Sequence, residues 1–201
     1  DISSYIVNLN GDNLPDFIGT SQNGGPLLTY AYINNGVDGW VRDLEWQAPY
    51  DFRITNGSTF ADLNGDGLDD IIQSYSGLQN YKRAFLNTGK KGWVEAAQYV
   101  PTEAGYFFNS TSDPHSARDN GYRLVDLNGD SLPDILKQGY GANINNGNGW
   151  NSPNDLSWDQ RFELEGTTSS LPYLPYISNM NGDGMADIHV AKFNNNNNQI
   201  E

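Results

Sequence analysis

Asp62-Leu63-Asn64-Gly65-Asp66-Gly67-Leu68-Asp69-Asp70 decides the reading of this chain. Oxygen-bearing side chains occupy its first, third, fifth and ninth positions, and glycine occupies the fourth and sixth. Apolar runs flank it, Thr59-Phe60-Ala61 before and Ile71-Ile72 after. Alternating oxygens on a tight, glycine-permitted turn are what a hard cation with six to eight oxygen ligands requires. Strand-like flanks and the lack of a glutamate at the twelfth position set the loop apart from an EF-hand.

The same pattern starts at Asn8, Asp126 and Asn179, so successive copies lie 54, 64 and 53 residues apart. A second motif follows three of the four: Ile33-Asn-Asn-Gly-Val-Asp-Gly-Trp40, Leu86-Asn-Thr-Gly-Lys-Lys-Gly-Trp93 and Ile144-Asn-Asn-Gly-Asn-Gly-Trp150. Asn-Gly and Asn-Thr-Gly between apolar runs are hairpin signals, because they accept positive φ. A further aromatic comes six to eight residues on, at Trp46, Tyr99 and Trp158. Each unit therefore reads as strand, aspartate loop, two strands, Asn-Gly turn and a last strand starting at Gly-Trp. About four strands per repeat of this length describe one blade of a β-propeller.

The expected fold is all-β, with three complete four-stranded blades (1–54, 55–118, 119–171) and part of a fourth (172–201), a segment of a larger propeller or one of several chains that complete it. The insertion at Gly105–Asn120 reads as a polar surface loop. Within it, Tyr106-Phe107-Phe108-Asn109 is a candidate contact surface. The seventh loop residues, Leu14, Leu68, Leu132 and Met185, are expected to point their side chains into the blade core.

Candidate cation ligands are Asn8, Asn10, Asp12 and Asp16 in the first loop, and Asp62, Asn64, Asp66 and Asp70 in the second. The third offers Asp126, Asn128, Asp130 and Asp134, and the fourth Asn179, Asn181, Asp183 and Asp187. The backbone carbonyls of Leu14, Leu68, Leu132 and Met185 would each add one oxygen, as in other loops of this type. An oxygen-only set in a flexible loop favours Ca²⁺ over Mg²⁺, which keeps its waters. Up to four ions are expected. Loops 62–70 and 126–134 should fill first, because Asn8 and Asn179 leave the outer loops one carboxylate short. Ten of the 25 Asp and Glu residues lie at these positions, so four Ca²⁺ would bring the net charge from −14 to about −6.

The acidic balance argues against a nucleic-acid partner, which needs Lys and Arg stripes. The chain has no cysteine, which excludes disulfides and thiolate chemistry, and no apolar run reaches membrane-spanning length. Asn56 and Asn109 head N-glycosylation sequons that chance would supply in so Asn-rich a chain. His115 and His189 make no catalytic constellation by spacing, so no enzyme is read here. The tryptophans read either as packing between blades or as stacking platforms for sugars.

These residues resemble the FG-GAP / VCBS repeats, β-propeller blades with a calcium loop between two strands, as in integrin α-subunit heads. The Asp-Leu-Asn-Gly-Asp-Gly-Leu-x-Asp form with a downstream Leu-Asn-Thr-Gly-x-x-Gly-Trp is most similar to repeats of large bacterial surface and YD-repeat toxin proteins. It also resembles calcium-bearing propeller lectins. The resemblance implies calcium at the positions named, loops that serve rigidity, and an extracellular or cell-surface setting. It leaves open whether the partner is a protein or a glycan. A scaffold for interaction or adhesion and a carbohydrate-binding lectin are the two readings.

Overall fold

The computed structural model describes residues 2–21, 25–52, 57–77, 79–102, 104–110, 118–137, 141–151, 176–189, 193–194 and 199–200. Trp158, His115 and Asn56 lie outside them. Every longer element is a strand, and the fold is all-β. The first sheet is an antiparallel meander of β1 (Ile2–Val7), β2 (Asp16–Ser21), β3 (Leu28–Asn34) and β4 (Trp40–Asp43). The second repeats it with β5 (Ser58–Ala61), β6 (Asp70–Ser76), β7 (Tyr81–Asn87) and β8 (Trp93–Glu95). In the insertion, β9 (Phe108–Asn109) and β10 (Arg118–Asp119) extend this second sheet. β9 pairs in parallel with the end of β6, at Tyr75 and Ser76. The third sheet has β11 (Tyr122–Val125), β12 (Asp134–Lys137) and β13 (Gly141–Asn143), and its fourth position is the bridge Asn145–Trp150. β14 (Tyr176–Ser178) and β15 (Asp187–His189) form a hairpin, as do β16 (Phe193–Asn194) and β17 (Gln199–Ile200). None of these sheets closes on itself.

Register is the same in every repeat. The residue before each loop faces the loop's ninth residue: Val7–Asp16, Ala61–Asp70, Val125–Asp134 and Ser178–Asp187. The loop fixes this alignment, since a one-residue slip would turn every side chain to the opposite face. Strand alternation then gives each sheet two faces. Val7, Ile18 and Ala31 of the first sheet share one buried cluster with Ile71, Phe60, Phe85 and Trp93 of the second. One repeat further on, Ile72 and Ala84 share a cluster with Ile135, Leu124 and Trp150. The small aliphatic face of each sheet thus packs on the bulky face of the next.

Two expectations about packing are corrected. Phe107 is buried in the second core cluster and stacks on Tyr122 with centroids 5.0 Å apart, so this residue of the aromatic stretch is core, while Tyr106, Phe108 and Asn109 are half-buried. Phe108 and Asn109 extend the second sheet by pairing with Tyr75 and Ser76, which the polar average of the insertion conceals. The seventh loop residues are not core either. Leu14, Leu68 and Leu132 are half-buried and Met185 is exposed, while the second residues Leu9, Leu63 and Leu127 are buried.

Candidate metal loops and repeat junctions

All four loops share one backbone path. The fourth residue has positive φ in each copy (Gly11 80°, Gly65 78°, Gly129 82°, Gly182 81°). So does the sixth, at Asn13, Gly67, Ser131 and Gly184. Asparagine tolerates that region, whereas Ser131 enters it at some strain.

Side-chain oxygens line the inside of this path and accept its amides. The first residue's Oδ1 accepts from the fourth N–H: Asn8 from Gly11 at 3.0 Å, Asp62 from Gly65 at 2.8 Å, Asp126 from Gly129 at 2.7 Å and Asn179 from Gly182 at 2.7 Å. The fifth residue's Oδ1 accepts from the seventh N–H, as Asp66 does from Leu68 at 2.9 Å. The third residue's amide donates to the fifth carboxylate, as Asn64 Nδ2 does to Asp66 Oδ2 at 3.0 Å, and this contact recurs in all four loops. Asp62 and Asp126 use a second oxygen to accept from the sixth N–H, at Gly67 and Ser131. Asn8 and Asn179 have an amide nitrogen in that place and cannot.

The ninth aspartate is the most constrained. Asp16, Asp70 and Asp134 are fully buried. Each takes one backbone N–H on each oxygen. Asp70 Oδ2 accepts from Leu63 at 2.9 Å and its Oδ1 accepts from Asn87 at 2.7 Å. Asp16 does the same with Leu9 and Asn34, and Asp134 with Leu127 and Asn145. The carboxylate therefore ties the loop to the hairpin motif. Burial, with the charges of Asp66 and Asp62 behind it, pushes the Asp70 carboxyl up to about 7 against the pull of its two N–H donors. Asp16 and Asp134 are raised in the same way, by burial first.

A carboxylate offers about four acceptor sites, so these bonds leave lone pairs for a cation. The first, third, fifth and ninth side chains all offer oxygen, the donor kind that a hard cation takes. Among the described residues, no three Asp, Glu or His side chains close around one point. The third residue's Oδ1 already accepts from the fifth N–H in every loop, as Asn64 does from Asp66 at 3.1 Å.

The structure also shows junction bonds that the sequence reading missed. Asn87 Nδ2 donates to the Leu9 carbonyl at 2.9 Å and Asn145 Nδ2 to the Leu63 carbonyl at 2.8 Å, each reaching the preceding loop. The asparagine that opens the second and third hairpin motifs is thus an inter-repeat donor. Its recurrence at Asn34, Asn87 and Asn145 is the available signal, but turn chemistry alone also accounts for it. Asp69 N–H donates to the Asn8 carbonyl and Ala186 N–H to the Asp126 carbonyl. The seventh side chain is the third link. A β-carbon on Gly11 would lie 3.2 Å from Leu68, one on Gly65 3.1 Å from Leu132, and one on Gly129 3.2 Å from Met185. Each seventh residue therefore wedges onto the fourth-position glycine of the loop before it.

Three tryptophans pack at these junctions. Trp46 is buried beside Trp93 with centroids 5.8 Å apart, and Trp150 packs on the second cluster. Trp40 stays exposed.

No family model matches the chain, and no solved structure matches it. It is similar to the T-cell immunomodulatory protein homolog of Plasmodium yoelii yoelii, 28% identical over 121 residues. The match covers 55% of this chain and 17% of that protein.

Proposed function

We propose that the chain is a calcium-binding, non-enzymatic β-propeller module, a rigid extracellular scaffold that presents a protein or glycan ligand site within a larger surface or toxin protein. The observation that carries the reading is the fourfold repetition of one oxygen-lined loop path, which ends in a fully buried carboxylate in the first three loops and in the half-buried Asp187 in the fourth. Such a carboxylate, raised by burial and by its acidic neighbours, has no ion pair among the described residues, and a divalent cation is the natural complement. The sheet-on-sheet stacking of identical meanders supports blades. The burial of Trp46 and the packing of Trp93 and Trp150 favour a structural role for the repeated tryptophans over a sugar platform.

Thermal melts of the metal-stripped chain with and without Ca²⁺ or Mg²⁺ test this. At ten times Kd each filled site adds about 1.4 kcal/mol, and each kcal/mol raises Tm by roughly 2–4 °C in a chain of this size. Asp66→Ala should remove more of the calcium shift than Asp12→Ala. Absence of any shift would leave the loops as hydrogen-bonded turns and defeat the proposal.

A further inference from the structure

The third sheet departs from the bulky row of the second at one place. Phe60, Ile71, Phe85 and Trp93 of the second sheet correspond in register to Leu124, Ile135, Asn143 and Trp150 of the third. In the first sheet Tyr32, opposite Phe17, holds the Phe85 position. Asn143 thus stands where the other two sheets carry an aromatic ring. Cross-strand partners share a face, so its side chain lies on the junction side with the buried Ile135.

At the first junction the Phe85 ring fills this place and lies 5.6 Å from that of Tyr50. At the second, a cavity of about 100 Å³ is left between the third sheet and the stretch that follows β8. Val100, Ile135 and Trp150 give it apolar walls, and Asn143, Gln98 and Thr102 polar ones. These walls are held in advance of any ligand. The Trp150 indole N–H donates to the Tyr99 carbonyl at 2.9 Å. Lys82, which does not line the cavity, donates from Nζ to the carbonyls of Pro101 at 2.9 Å, Thr102 at 3.1 Å and Ala104. Such preorganisation lowers the cost of binding.

Size, charge and hydrogen bonding narrow the occupant. An apolar cavity of about 150 Å³ takes benzene, so this one takes a group of about four heavy atoms and no pyranose ring. Among the described residues none that lines it is charged, so an ionised group would enter without a partner. The Asn143 carboxamide makes no hydrogen bond among the described residues. It offers a donor and an acceptor side by side, a pattern that a second carboxamide matches. We infer that the cavity receives the side-chain amide of an asparagine or glutamine of a partner peptide, paired with Asn143. The inference rests on the scaffold reading for the existence of a partner, and it is independent of calcium.

Acetamide titrated into the intact metal-free chain, monitored by proton–nitrogen correlation spectra, tests it. The Trp150 indole N–H and the backbone amides of Thr102, Ala104 and Asn143 should shift together and saturate, with Kd on the order of 1–10 mM for so small a ligand. Acetate, its charged isostere, should leave them in place. Free glutamine should produce the same shifts where glutamate does not. Asn143→Phe restores the ring of the other sheets and should close the cavity. Asn143→Leu keeps the size of the side chain and removes its hydrogen bonds. Each should weaken acetamide at least about tenfold, and a melt equal to that of the wild type shows that the variant folds. Absence of saturable shifts, equal shifts from acetate, or full acetamide binding by a folded variant would overturn the inference. Tighter binding of N-acetylglucosamine than of glutamine would give the cavity to a glycan and overturn it equally. None of these results touches the calcium melts, and an absent calcium shift leaves the acetamide titration standing.

Discussion

Asn8 and Asp69, 61 residues apart, hold each other through two opposed hydrogen bonds: Asp69 N–H donates to the Asn8 carbonyl at 2.9 Å, and Asn8 N–H donates to Asp69 Oδ2 at 2.6 Å. The Asn8 side chain adds a third bond, donating from Nδ2 to the Gly67 carbonyl at 2.8 Å. The amide that departs from the acidic pattern of the loop is thus a donor to the next repeat. An aspartate there could not donate and would set a second charge near Asp69. Asn8→Asp should destabilise the metal-free chain by about 0.5–1.5 kcal/mol, since the bond to Gly67 is exposed. If the loop takes calcium, the added carboxylate reverses the sign at high Ca²⁺. Urea denaturation with and without the ion reads both.

The buried ninth carboxylates set a pH dependence for the metal-free chain. Asp70 titrates near 7 when folded and near an ordinary aspartate value of about 3.9 when unfolded. Between those values the folded chain holds a proton that the unfolded chain has released. Stability therefore falls as pH rises through the window and levels off above it. The slope is at most about 1.4 kcal/mol per pH unit for one such proton. Asp16, Asp69 and Asp134 are shifted the same way, chiefly by burial. Asp70→Asn should flatten the slope, as seen by urea midpoints taken from pH 5 to pH 8.

The hairpin asparagines should separate by position. Asn87 and Asn145 are buried and reach the loop before them, while Asn34 Nδ2 makes only a 3.3 Å bond to Pro15 of its own repeat. Asn87→Ala and Asn145→Ala each leave a buried carbonyl unpaired and should cost about 1–3 kcal/mol. Asn34→Ala should stay within about 0.5 kcal/mol, because its amide is exposed.

Gly65→Ala and Gly182→Ala isolate the wedge. Both glycines have φ near 80°, so both substitutions carry a left-handed backbone penalty of about 1–2 kcal/mol. Only Gly65 is pressed by a neighbouring leucine, Leu132, at 3.1 Å. The Gly65 variant should therefore lose measurably more stability in denaturant titrations, and equal losses would mean that the wedge contributes nothing.

The loops, their strands and the hairpin turns were legible because each is a local matter. Asn-Gly and Asp-x-Asn-Gly-Asp specify their own backbone, and the flanking apolar runs specify strands. The faces were harder to read. Leu68 and Leu132 look like core leucines in sequence, yet they are wedges whose targets are glycines of another repeat, and nothing local to them shows this. The insertion misled for a similar reason. Its three aromatics Tyr106, Phe107 and Phe108 sit in an otherwise polar segment, and their placement depends on the edge of β6, some thirty residues away. Asn8 and Asn179 read as weakened ligands, and only the placement of Gly67 gives the Asn8 amide its own role.

The uniform register of the repeats bears on how such a chain changes over time. Every junction is written in the same few positions: a wedge at the seventh loop residue, a glycine at the fourth, an asparagine at the hairpin and a bulky row on one face. A duplicated stretch of about one repeat carries both halves of that code with it, so copies can be gained or lost by recombination without any new interface having to arise. The differences in repeat length fall outside the code, as the strands added between β8 and β11 illustrate.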